Sequence, residues 1–156
     1  MLVDLAGVTG CRTRIGVLRN DSVSYWEAPG PSAPFSLSAG SVAAHLTALG
    51  HLLLAAAGDG VAGQVINREW PSAGLVVRPG REDLGKALKV TRLSGVAIAR
   101  TRRPGVTLGV AVPVRGADDR VIAALELDAR DFDQVESVLL DLKAASRQLS
   151  YRGIGY

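Results

Sequence analysis

One segment, Ser41 to Gly58 (SVAAHLTALGHLLLAAAG), most narrows what this chain can fold into. Apolar residues recur at Val42, Leu46, Leu49, Leu53 and Ala56. That spacing predicts one apolar helix face, with Ser41 as N-cap and Gly58 as the stop. Gly50 falls inside the run, where glycine costs about 1 kcal/mol relative to alanine. A glycine there points to close approach of another element, or of a small ligand, to the helix backbone.

The chain has 156 residues, the size of one domain. Hydrophobic residues make up 47% and charged residues 21%, enough for a real core under a soluble surface. No stretch approaches the roughly 18 consecutive apolar residues of a membrane span. The N-terminus, MLVDLAGVTG, lacks the basic and apolar regions of a signal peptide. The single cysteine, Cys11, excludes an internal disulfide framework and a cysteine metal cage, and fits a reducing, cytoplasmic setting. Net charge is +3, but residues 78–103 carry eight Lys and Arg against only Glu82 and Asp83, a local +6. Such a segment reads either as a nucleic-acid contact or as a solvated helix face with its loop. No aromatic residue interleaves there to stack bases.

Met1 to Ala6 reads as the end of a helix. Thr13 to Leu18 and Val23 to Ala28 alternate as two strands around the turn signal Asn20-Asp21, a hairpin. Phe35 to Ser38 reads as a short strand before the glycine-bearing helix. Helices are predicted over Val61 to Arg68 and Glu82 to Leu93, and a short strand over Leu75 to Val77. Val96 to Thr101, Leu108 to Val114 and Arg120 to Asp128 form an antiparallel meander. Asp131 and Gln134 have capping-box spacing. The stripe Phe132, Val135, Leu139, Leu142, Leu149, interrupted by Ser146, predicts a long final helix. Together these predict an α+β fold with one antiparallel sheet.

The chemistry-bearing residues are sparse. His45 and His51 lie six apart, not at the i, i+4 spacing of a metal pair. His45 reads as a structural hydrogen-bonding residue and His51 as exposed. Cys11 lies beside Arg12 and Arg14, so it reads either as a thiol of lowered pKa or as a small buried residue. No phosphate-binding GxxxxGK[ST], no GxGxxG after a strand and no GxSxG elbow is present. Asp118-Asp119 lies in a turn and Asp131 with Asp133 begins a helix, so neither pair reads as an acid/base dyad. Alternation along Val121 to Asp128 places Glu126 with Ile122, Ala124 and Asp128 on one sheet face. There it is either a rim residue or a carboxylate aimed into a pocket.

Several of these motifs occur together and in order: Leu5-Ala6, Thr9-Gly10, Ile15 to Tyr25, His45 to Ala55, Gly95, Val110-Ala111-Val112-Pro113-Val114, Asp118 to Leu125 and Leu149-Ser150. Together they resemble the effector-binding domain of the IclR family of bacterial transcription regulators. The resemblance implies a GAF- or profilin-like fold of about six antiparallel strands with helices on both faces. It makes 1–156 the effector-binding domain and 1–8 the end of a linker helix, with the N-terminal winged helix-turn-helix absent from this chain. It implies a small organic metabolite as effector, a homodimer or tetramer, DNA contact only through the absent domain, no membrane, no cofactor and no catalysis. Family members hold the anionic end of the effector on backbone amides that correspond here to Ala48 and Leu49, next to Gly50.

The resemblance also places Ala99, Gly109 and Glu126 at the effector site, with Arg100, Arg102 and Arg103 at its rim. Three of these depart from the pattern: a pocket carboxylate is replaced by Ala99, a cysteine of some members by Gly109, and a small hydroxyl residue by Glu126. The gained carboxylate implies a cationic or hydroxylated ligand, or an arginine partner from the 100–103 loop. Two competing readings remain: a GAF-like enzyme or redox protein using Cys11, and direct nucleic-acid binding through residues 78–103.

Overall fold

The computed structural model describes residues 2–30, 37–67, 81–101 and 107–152. Helix α1 (Leu2–Thr9) leads into the hairpin β1 (Thr13–Arg19) and β2 (Ser22–Ala28), followed by strand β3 (Ser38–Ala43). A 3-10 turn (Ala44–Leu46) then opens α2 (Ala48–Ala57), and α3 (Asp59–Asn67) and α4 (Arg81–Ser94) come next. The meander β4 (Ala97–Thr101), β5 (Thr107–Arg115) and β6 (Val121–Ala129) precedes the final helix α5 (Phe132–Arg152). The six strands form one antiparallel sheet in the order β3-β2-β1-β6-β5-β4, the α+β architecture that the patterning predicts.

Strand alternation divides the core in two. Leu108, Val110, Val112, Val114, Ala123, Leu125 and Leu127 face α1 and α5, where Leu5, Val135, Val138 and Leu142 close over them. The opposite face, with Ala97, Ala111 and Ala124, packs under Leu49, Leu52 and Leu53 of α2 and Leu84 and Leu88 of α4. The start of α5 is capped as its spacing predicts: the Gln134 amide donates to Asp131 Oδ1 at 2.8 Å. The Gln134 side chain reaches one residue further back than a capping box, accepting from the Arg130 amide at 2.7 Å. Ser146, which breaks the apolar stripe, donates its hydroxyl to the Pro113 carbonyl and so joins α5 to β5.

The predicted helix over Ser41 to Gly58 is corrected. Ser41 is no N-cap: it pairs with Ser24 as part of β3, and Val42 pairs with Val23. The exposed edge of β2 offers Ser41 to Ala43 ladder hydrogen bonds that compete with the first helical turn. β3 therefore begins at Ser38, where the predicted strand over Phe35 to Ser38 was to end. Thr47 is the actual cap, its Oγ1 accepting from the Gly50 amide at 3.0 Å. Gly50 thus sits in the first turn of α2. A Cβ there would lie 1.9 Å from the Ala44 carbonyl oxygen, so the close approach inferred from the sequence is made by the chain's own 3-10 turn. The predicted strand over Leu75 to Val77 lies outside the described residues.

Gly50→Ala is expected to cost about 3 kcal/mol or more, since backbone rather than a yielding side chain fills the space. Gly85→Ala in α4, whose Cβ meets nothing within 4 Å, is expected to stabilise by about 0.5–1 kcal/mol. Urea unfolding of the two variants checks both signs.

Candidate functional site: a buried carboxylate at a helix start

A helix leaves its first amides without helical partners and concentrates positive potential there. In α2, His51 N makes the first helical bond, to Thr47 O at 2.9 Å, and Gly50 N is taken by Thr47 Oγ1. The Leu49 amide donates instead to Glu126 Oε2 at 2.8 Å, across 77 residues of sequence. Glu126 is 1% exposed. Its other oxygen, Oε1, accepts from Arg14 Nη1 at 3.0 Å.

Cross-strand register builds this arrangement. Arg14 in β1 pairs with Glu126 on β6 and with Glu27 on β2. Arg14 Nε donates to Glu27 Oε1 at 2.8 Å, Nη2 lies 4.0 Å from Asp128 Oδ2, and the guanidinium sits 5.2 Å from the Tyr25 ring centroid. Arg12, just before β1, approaches Glu27 at 3.7 Å and Asp128 at 3.6 Å. Among the described residues, two guanidiniums therefore meet three carboxylates in a low-dielectric layer.

Burial dominates the protonation of the site. Burial pushes the Glu126 carboxyl up to about 7, opposed by the Arg14 charge and the Leu49 amide and assisted by Asp128. Burial lowers the Arg14 pKa, but Glu126 and then Glu27 outweigh it, so the guanidinium is held more firmly protonated than usual.

Of the residues inferred from the sequence, Ala48, Leu49, Gly50, Ala99, Gly109 and Glu126 come together. A Cβ on Gly109 would lie 3.2 Å from Glu126 Oε2, 3.3 Å from Ala48 Cβ and 3.5 Å from the Ala99 carbonyl. Among the described residues, the arginine partner of Glu126 is Arg14. Arg100 is exposed and pairs with Leu108. Alternation sets it on the sheet face opposite Ala99, which removes it from the rim; Arg102 and Arg103 lie outside the described residues.

Sequence reasoning missed Arg14, Arg12, Glu27 and Asp128. The signal was present as like charges two apart, Arg12 with Arg14 and Glu126 with Asp128, the second pair on one face of β6. His51 is also corrected: it is buried, and its Nε2 donates to the His45 carbonyl at 2.9 Å. Burial lowers its pKa, so the ring is neutral. A surface cleft of about 590 Å³ lies elsewhere, between the C-terminal ends of α2 and α4, lined by Leu52, Thr91, Arg92, Arg115 and Arg120 among others.

The first turn of α2 thus turns the Leu49 amide onto β6, with small residues around the contact. The family model for the bacterial transcriptional regulator IclR C-terminal domain matches residues 1–151, and the chain belongs to that family. Solved structures agree. An IclR homolog from Microbacterium hydrocarbonoxydans, complexed with 4-hydroxybenzoate, superposes with a TM-score of 0.81 at 25% identity over 96% of this chain and 63% of that one. The Thermotoga maritima IclR gives 0.77 at 22% identity, covering 99% and 66%. The inducer-binding domain of the Acinetobacter PobR transcription factor, a double mutant with 3-hydroxybenzoic acid, gives 0.75 at 21%, covering 96% and 93%. The chain spans less than two thirds of the Microbacterium regulator. A comparison with curated proteins gives no match. The matching family is one of bacterial transcriptional regulators.

The raised Glu126 pKa means that the folded state holds this proton more tightly than the unfolded chain. Its stabilising contribution is full below about pH 4.5 and is lost as pH rises through 7, a change on the order of 3 kcal/mol. His51 acts in the opposite sense below pH 6.5, so the wild type is compared with Glu126→Gln. Urea midpoints of the wild type relative to that variant are expected to fall between about pH 5 and pH 8. A constant difference would place Glu126's titration at its ordinary value.

Proposed function

We propose that this chain is the effector-sensing and oligomerisation domain of an IclR-type transcription regulator. The attached winged helix-turn-helix lies outside the chain, α1 continues a linker helix toward it, and the regulator acts in the cytoplasm as a homodimer or tetramer. The effector is a small organic metabolite held where the first turn of α2 meets β4, β5 and β6, at Ala48, Leu49, Gly50, Ala99, Gly109 and Glu126. The observation that carries this reading is the convergence of those six positions, drawn from four elements, on one helix start. Ala99 is half-buried and is the side from which a ligand reaches the cluster. Binding shifts subunit placement because the effector favours one arrangement over the other, and DNA affinity follows.

The competing readings lose support. Burial pushes the Cys11 thiol up, the reverse of what a nucleophilic cysteine needs. Of the basic residues in 78–103, Lys86 pairs with Glu82 at 3.3 Å and Arg92 with Asp59 at 2.6 Å.

A thermal-shift screen of metabolites is expected to find a ligand that stabilises the wild type, by about 2.7 kcal/mol at a hundred times its dissociation constant. Gly109→Val is expected to abolish that shift. A ligand that stabilises the variant equally would move the site elsewhere. Duplex DNA titrated against this chain alone is expected to show no sequence preference. Sequence-specific binding with a steep salt dependence would overturn the assignment of DNA contact to another domain.

A further inference from the structure

Glu126 is a costly way to satisfy one amide. Burying a carboxylate costs several kcal/mol even when it is paired, and the first turn of α2 already has Thr47 as its cap. A helix start and a guanidinium pointing at one spot form a receptor for a carboxylate, and here the carboxylate is part of the chain.

The receptor stands without it. Arg14 is held independently by Glu27 at 2.8 Å and lies over Tyr25. The Leu49 amide is fixed by the helix and its Thr47 cap. Next to the carboxylate at Gly109, the nearest atoms that a Cβ there would meet, besides Glu126 itself, belong to the small residues Ala48 and Ala99.

We propose that Glu126 is a tethered ligand: it occupies from within the position that an effector carboxylate would take between Leu49 and Arg14. The wild-type domain is then blind to small carboxylates at this site. Its effector is a neutral or cationic molecule that packs over Ala99 and Gly109 and donates a hydrogen bond toward Glu126. This inference rests on reading the α2 turn as the effector site.

Glu126→Ala removes a CH2COO⁻ group, the size of acetate, which makes acetate the probe. At matched ionic strength and pH, about 100 mM acetate in place of chloride is expected to raise the melting temperature of Glu126→Ala by about 3 °C or more. The wild type and Glu126→Gln, whose sites remain filled, are expected to move by less than about 1 °C. If Glu126→Ala does not fold in chloride, acetate is expected to restore cooperative melting, and failure to do so would overturn the proposal. An equal response of the wild type would overturn it as well.

In 15N-labelled Glu126→Ala, the Leu49 amide resonance is expected to shift on acetate addition. A rise in melting temperature with Leu49 unmoved would place acetate elsewhere and sink the proposal. The two readings fail separately. An effector found for the wild type while Glu126→Ala ignores acetate keeps the sensor and removes the tethered ligand. Rescue by acetate with no effector found supports the tethered ligand and counts against the sensor site.

Discussion

With Arg14 only 4% exposed, flanked by Glu27 on one neighbouring strand and Glu126 on the other, the centre of this sheet is cross-linked by charge. Buried ions are tolerated only where each finds donors or counter-ions. Arg14 supplies them to three carboxylates, and the Leu49 amide completes Glu126. The position of α2 follows from that requirement, because its first turn has to lie where Glu126 can reach it. Apolar packing beneath Leu49, Leu52 and Leu53 holds the helix on the sheet. The charge network fixes its position along it.

The two sheet faces accordingly play different parts. The face under α5 is lined by leucine and valine from β5 and β6, and β5 is tied to that helix by two polar links, from the Ser146 hydroxyl to the Pro113 carbonyl and from the Arg115 amide to Ser150 Oγ. The face under α2 has alanine and glycine where bulk would otherwise stand, and carries the charges. Small residues bring the helix backbone close enough for an amide, rather than a side chain, to meet the carboxylate.

Much of the fold was legible because β1, β2, β4, β5 and β6 alternate clearly and the start of α5 carries its own cap. The failures share a cause. Ser41 to Ala43 have helical periodicity, and only the free edge of β2, a tertiary fact, makes them strand. His51 was read as exposed because its apolar surroundings come from other elements. At the site, the sequence resemblance singled out Leu49 and Glu126 separately. That one donates to the other depends on β6 lying beside β1 and beneath α2, which no local pattern encodes. Arg14 escaped notice because a charged residue in a strand ordinarily signals a solvent face.

Gly50 carries a mechanical consequence. With no side chain between them, the Ala44 carbonyl rests directly against the first turn of α2, and Ala44 follows β3 at the sheet edge without a spacer. Close-packed backbone transmits displacement with little loss. A nudge to the helix start is therefore handed to an outer strand whose far side has no neighbour within this sheet. In the proposed reading, an effector displacing the buried carboxylate would thus move the molecular margin, where a second subunit would meet it.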